Sequence, residues 1–153
     1  MSVIYFDDLH VGQQFVSGTH EMTETEIIRF ASEYDPQPFH THPDDARHSL
    51  FHGLVASGWH TGAVTMRLLV EGPMKLAGGM IGAGGELTWP NPVRPGDTLR
   101  VYSEVASMRT SKSRPDLGIV AVRSETRNQD GVAVQVLVAN LFVPRRSGSD
   151  AGR

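Results

Sequence analysis

The order of apolar and polar positions divides the chain into a helical first half and a strand-rich second half. Ile27, Phe30, Ala31 and Tyr34 recur at i, i+3, i+4 and i+7, the spacing of one helical face. Thr23 stands before them with Glu26 three residues on, the sequence form of a capping box. Asp35-Pro36 stops the pattern, because the residue before a proline is pushed out of the helical region. A short amphipathic helix therefore delivers Asp35 from its C-terminal end. Ahead of it, Phe15 to Met22 reads as a first strand, with imperfect alternation.

A second helical stretch, Leu54 to Val70, opens after Gly53 and carries almost no charge before Arg67. A helix that is apolar nearly all round is a buried helix. Ala56, Ser57, Gly58, Thr61, Gly62 and Ala63 keep its early turns small, so a sheet or a ligand can approach closely. Gly58 and Gly62 each weaken a helix by roughly 1 kcal/mol relative to alanine, and close approach is the compensation. Gly72-Pro73 ends the stretch.

The remainder alternates. Ile81 to Trp89 is a glycine-rich strand broken by Pro90-Asn91-Pro92, and Arg94-Pro95-Gly96-Asp97 has the order of a type II turn. Leu99, Val101 and Val105 share a face opposite Arg100, Tyr102 and Glu104. Ser107 to Leu117 is polar and basic, an exposed loop or strand end. Ile119 to Thr126 and Val132 to Val143 flank Asn128-Gln129-Asp130-Gly131, a hairpin with an Asp-Gly turn signal. The last strand is apolar on both faces, which suits the middle of a covered sheet. The sum is an α+β fold, an antiparallel sheet wrapped around a long central helix.

Composition narrows the function. A chain of 153 residues fits one domain with a core of its own. The domain is placed at residues 1–146; the polar end from Arg145 reads as disordered, with 147–153 outside the domain. There is no cysteine, which excludes disulfides and thiolate chemistry. The net charge of −3 comes from mixed signs, so there is no nucleic-acid footprint. No apolar run reaches spanning length, and MSVIYFDDLH lacks the pattern of a secretory leader. The expectation is a cytoplasmic protein with no membrane contact. No nucleophile-elbow, phosphate-loop or dinucleotide fingerprint occurs.

The chemistry gathers between Tyr34 and Thr61, which hold five of the seven histidines and three of the nine prolines. Pro36 and Pro38 fix their own φ and restrain their predecessors, so Asp35 to His40 reads as a stiff, extended loop carrying an acid and a base. Such a pair suits proton transfer to and from a bound water. Gly53, at the expected helix start, leaves an amide open to a developing oxyanion. The same residues also allow a plain reading: Asp before Pro commonly stops helices, and a loop histidine is commonly a surface residue. His40, His42, Asp44, Asp45 and His48 match no closed metal spacing, and no metal is assigned. Arg109, Lys112 and Arg114 read as a solvated loop, with phosphate binding as the second reading. Trp59 and Trp89 read as core or tunnel walls.

Three motifs carry a resemblance: Asp35-Pro-Gln-Pro-Phe-His40, Phe51-His-Gly53-Leu-Val-Ala-Ser57 and Pro92-Val-Arg-Pro-Gly-Asp97. Together they resemble the MaoC-like dehydratases, hot-dog-fold proteins that include the (R)-specific enoyl-CoA hydratases. The similarity runs from about Val11 to Arg145. It implies Asp35 and His40 as catalytic acid and imidazole, Gly53 as the oxyanion-hole residue, and Thr61 as a hydroxyl bordering the site. Gln37 stands where the family motif has Asn; its longer amide still donates a hydrogen bond and is taken as substrate-binding. Tyr34 replaces a glycine and Phe39 an aliphatic residue. The resemblance further implies a homodimer with two helices back to back on one continuous sheet, an acyl-CoA or acyl-carrier thioester as partner, and no cofactor. The expected reaction is hydration of trans-2-enoyl-CoA to (R)-3-hydroxyacyl-CoA. A hot-dog acyl-CoA thioesterase and a non-catalytic acyl-CoA binder are the alternatives.

Overall fold

The computed structural model describes residues 2–147. Five strands, β1 (Gln14–Glu21), β2 (Ile81–Thr88), β3 (Thr98–Thr110), β4 (Leu117–Arg127) and β5 (Ala133–Pro144), form one antiparallel sheet in the order β1-β3-β4-β5-β2. Four helical segments accompany them: α1 (Glu24–Tyr34), the single turns α2 (Pro38–Thr41) and α3 (Pro43–Ala46), and the long α4 (Gly58–Glu71). The sheet curls around α4, which packs on β1, β3 and β5. This is the hot-dog arrangement expected from the sequence.

The alternation in β3 fixes which face turns inward. Leu99, Val101 and Val105 are buried beside Val120 and Val122 of β4. Fully burying an aliphatic side chain is worth about 1.5–3 kcal/mol, so a register slip by one residue would lose several such terms together. Two buried hydroxyl pairs add direction to this apolar seam. Thr65 of α4 meets Thr126 of β4 at 2.7 Å, and Ser103 meets Ser124 at 2.8 Å. β5 lies between β4 and β2, as its apolar faces suggest. Val134, Leu141 and Val143 are buried, but Val136, Leu137 and Val138 are only half-buried, so its second face is not fully covered.

Several boundaries differ from expectation for definable reasons. β3 continues to Thr110, pairing Arg109 with Ile119 of β4, so only the centre of the polar 107–117 stretch is a loop. The long helix begins at Gly58, not beside Gly53. Val55 N–H donates to Phe39 O at 3.1 Å and Ala56 N–H to Val93 O at 2.9 Å. These tertiary bonds hold the backbone extended until Ser57 caps the helix. The 35–40 segment is not extended throughout either. Pro38 occupies the first position of α2, where its missing N–H costs nothing.

The tail also departs from the sequence reading. Arg145 N–H donates to Asp116 O at 2.8 Å, and Arg146 binds Asp8 and lies over the Tyr5 ring. Both arginines are therefore anchored; residues 148–153 of the expected tail lie outside the described residues. Among the described residues, no helix is long and apolar enough to cross a membrane.

Candidate active site

Asp35 and His40 come together, and two successive helical elements bring them there. Asp35 is the C-cap of α1, its N–H bound to Ala31 O at 2.8 Å. His40 sits on α2, whose start is set by Pro38. Its Nε2 lies 3.2 Å from Asp35 Oδ2. The side chains are 8% and 18% exposed respectively, so the pair is sheltered while the carboxylate keeps an opening.

The surroundings fix both groups. Gln37 Nε2 donates to Asp35 Oδ1 at 2.6 Å, and Ser57 Oγ donates to Asp35 Oδ2 at 2.7 Å. Burial pushes the Asp35 carboxyl upward, but the Ser57 and Gln37 hydrogen bonds and the nearby His40 outweigh it. The group is held below the ordinary value of 3.8 and stays ionised at neutral pH. His40 Nδ1 lies 2.6 Å from Val55 O. A carbonyl only accepts, so Nδ1 carries the hydrogen and Nε2 is the nitrogen that exchanges protons with its surroundings. The edge-on Phe39 ring, 4.5 Å from the imidazole centroid, closes one side.

A cavity of about 340 Å³ opens beside His40, bordered by Phe39, Phe51, Gly58, Thr61, Trp89 and Val134 among others. Thr61, on the first turn of α4, borders this cavity and is 1% exposed. Gly53 is not at a helix terminus, and it is not among the residues bordering this cavity. It lies in a bend after His52, whose φ is +57°, and a Cβ there would come within 3.2 Å of Arg94 Nη1. Its amide makes no hydrogen bond with any described residue. The helix-dipole argument therefore applies to the Gly58 amide, which borders the cavity and, as first residue of α4, has no acceptor within the helix.

Sequence reasoning missed the roles of Ser57 and of the Val55 carbonyl, while Trp89, read as a core or tunnel wall, does border the cavity. Ser57 was detectable: a serine at the head of a helical pattern is an N-cap signal, and its Oγ does accept from Trp59 N–H at 3.3 Å. The Val55 carbonyl carried no signal, because no side chain marks it.

Comparisons with known proteins bear on the family and the fold. The model of the MaoC like domain matches residues 9–128. A Bacillus subtilis protein, the uncharacterized protein YdeM, is 34% identical over 131 residues, covering 84% of this chain and 90% of its own. Among solved structures, a MaoC-like dehydratase from Rhodospirillum rubrum superposes with a TM-score of 0.92 at 53% identity, covering 94% of this chain and 99% of its own. The unliganded (R)-hydratase PhaJ1 from Pseudomonas aeruginosa superposes with a TM-score of 0.73 at 26% identity, covering 94% and 88%.

Proposed function

This chain belongs to the MaoC-like domain family, and from its site we propose that it is an acyl-thioester hydratase/dehydratase, adding water to trans-2-enoyl-CoA to give (R)-3-hydroxyacyl-CoA. The carrying observation is the Asp35–His40 pair, 3.2 Å apart with His40 bordering the cavity, the carboxylate oriented by Gln37 and Ser57 and the imidazole by Val55 O.

In the hydration direction, a water lies against both the carboxylate and the imidazole. Asp35 accepts one of its protons while the water oxygen bonds to the β-carbon. The double-bond electrons move through the α-carbon onto the thioester oxygen as an enolate. The Gly58 amide at the start of α4 holds that oxygen; the Gly53 amide named by the resemblance belongs to a residue that does not border the cavity. As the enolate collapses, His40, protonated at Nε2, gives its proton to the α-carbon. The proton on Asp35 then crosses to Nε2 and restores the pair. The elements of one water are thus delivered, and no other reagent is consumed. Gln37 acts by holding Asp35, and Thr61 by placing a hydroxyl at the cavity wall.

The test is steady-state hydration of trans-2-butenoyl-CoA, followed by loss of the conjugated absorbance. Asp35→Asn and His40→Ala should each lower kcat at least about 10²-fold, the scale of a lost general acid or base. Near-normal rates in both variants would refute the assignment. Thiol release monitored in the same samples separates this reaction from thioester hydrolysis, which alone frees CoA. We place the reaction in the cytoplasm and the working unit as a homodimer. The exposed edge strand β2 supports the latter, since an unpaired edge is a natural template for a second chain.

A further inference from the structure

We propose that Trp89 is the specificity-determining residue of this site, closing the acyl cavity so that short, compact 2-enoyl thioesters are preferred over long ones. The inference rests on the hydratase reading for the direction in which the substrate lies. The cavity beside His40 is walled mostly by apolar groups, among them Phe39, Phe51, Trp89, Pro92 and Val134, with Thr61 and Asn91 as polar members. Among the described residues, His40 is the one titratable group in its lining. Such a lining suits hydrocarbon; the amides and phosphates of the carrier arm would be left without partners there. The part of the substrate that lies in it is therefore the acyl chain beyond the reacting carbons.

Its size is small. At about 340 Å³ it stands near the lower end of ligand pockets, which run from roughly 300 to 1,000 Å³. Trp89 sets that limit because it is fixed from several sides. The indole lies against the bare Cα of Gly58: a Cβ there would come within 2.5, 2.7 and 2.8 Å of three indole carbons. Only glycine leaves that space. The indole N–H donates to Gln135 Oε1 at 3.0 Å, and Gln135 is 1% exposed on β5. Trp59 meets the ring edge-on at 5.1 Å. The backbone that follows is held as firmly. Two prolines fix its φ angles, Asn91 Nδ2 donates to Ala133 O at 2.9 Å, and Val93 O accepts from Ala56 N–H at 2.9 Å. Although Trp89 is 41% exposed, these ties to a helix start, a buried strand residue and a proline strap hold its indole at the cavity wall.

Two readouts on the full-length protein test this. The first is binding of saturated butanoyl-CoA and octanoyl-CoA by calorimetry, which needs no turnover. The second is kcat/KM for trans-2-butenoyl-CoA and trans-2-octenoyl-CoA. The unaltered protein should favour the four-carbon chain at least about 10-fold in both, because even one excluded methylene changes discrimination by roughly that factor. Trp89→Ala should raise the octanoyl-to-butanoyl ratio at least about 10-fold, and Trp89→Phe, which keeps an aromatic wall if the alanine variant does not fold, should raise it by less. Equal preference in the unaltered protein, or an unchanged ratio in a folded variant, overturns the assignment. If hydration is absent but the binding ratio shifts as stated, the wall stands and the hydratase reading fails. If hydration is present and the ratio is unmoved, the reverse holds.

Discussion

Ser57 shows how much chemistry one hydroxyl can join. Its Oγ accepts the Trp59 amide as cap of α4 and donates to Asp35 Oδ2 at 2.7 Å. The long helix and the carboxylate are thus positioned by the same atom. Removing it takes away a hydrogen bond to a charged group, worth about 1.5–3 kcal/mol. Ser57→Ala should therefore cost roughly 10-fold or more in kcat if the bond serves the transition state. It should also move the acid limb of the kcat/KM profile upward. The sign follows from the balance at Asp35: burial, which raises its pKa, remains, while a donor that lowers it is lost. Ser57→Thr keeps the hydroxyl and should restore the limb toward its original position. A loss of activity in the alanine variant with an unmoved acid limb would mean that Ser57 supports only the fold.

At the scale of elements, the capping box of α1 was half right. Thr23 Oγ1 accepts from Glu26 N–H at 3.2 Å, but the Glu26 side chain does not return to Thr23. Its carboxylate binds His20 of β1 at 2.8 Å and His60 of α4 at 3.0 Å, clasping strand and helices together. Neither partner of that clasp was read from the sequence, where Glu26 was paired with Thr23 alone. α1, β4, β5 and the turn at Gly96, with φ +90°, followed from periodicity and turn residues. The start of α4 did not, because tertiary hydrogen bonds from Val55 and Ala56 decide it. The Asp35/His40 pair was legible as spacing, yet its closeness depends on α2, a turn too short for periodicity to reveal.

The clasp gives a pH prediction. His60 is buried, and burial holds its pKa below 6.5 despite the hydrogen bond to Glu26. Burial pushes Glu26 upward, but hydrogen bonds from His20 and His60 outweigh it and leave its pKa below 4.5. Below pH 6.5 the unfolded chain takes up a proton at His60 before the folded one does, so stability falls with pH. As pH drops further through the range below 4.5, Glu26 adds to the loss, because the unfolded carboxyl again protonates first. Urea midpoints at pH 7.5 and pH 5 should show this decline. Glu26→Gln should cost about 1.5–3 kcal/mol at pH 7.5, the net worth of a hydrogen bond to a charge, and should steepen the decline between pH 7.5 and pH 5, because the carboxylate that raises the His60 pKa is gone. A midpoint independent of pH in the unaltered protein would contradict the clasp.

For the whole molecule, the sheet ends in an edge that asks for a partner. β2 is exposed along nearly all its length, Ile81 is 50% exposed, and Met66 and Val70 of α4 are 42% and 50% exposed. Light scattering should give twice the 16.7 kDa chain mass, and Ile81→Lys, a charge on the edge strand, should shift the population toward one chain. A single-chain mass for the unaltered protein would remove the dimer. The more central matter is whether one acid–imidazole pair manages both halves of the added water. Hydration of trans-2-butenoyl-CoA in D₂O reads this directly, through the relative configuration at C2 and C3 of the monodeuterated 3-hydroxy product by NMR. If the Asp35–His40 pair, 3.2 Å apart, handles both halves of one water, oxygen and deuterium should arrive on the same face, giving one syn diastereomer. An anti product, or a mixture of the two, would contradict it.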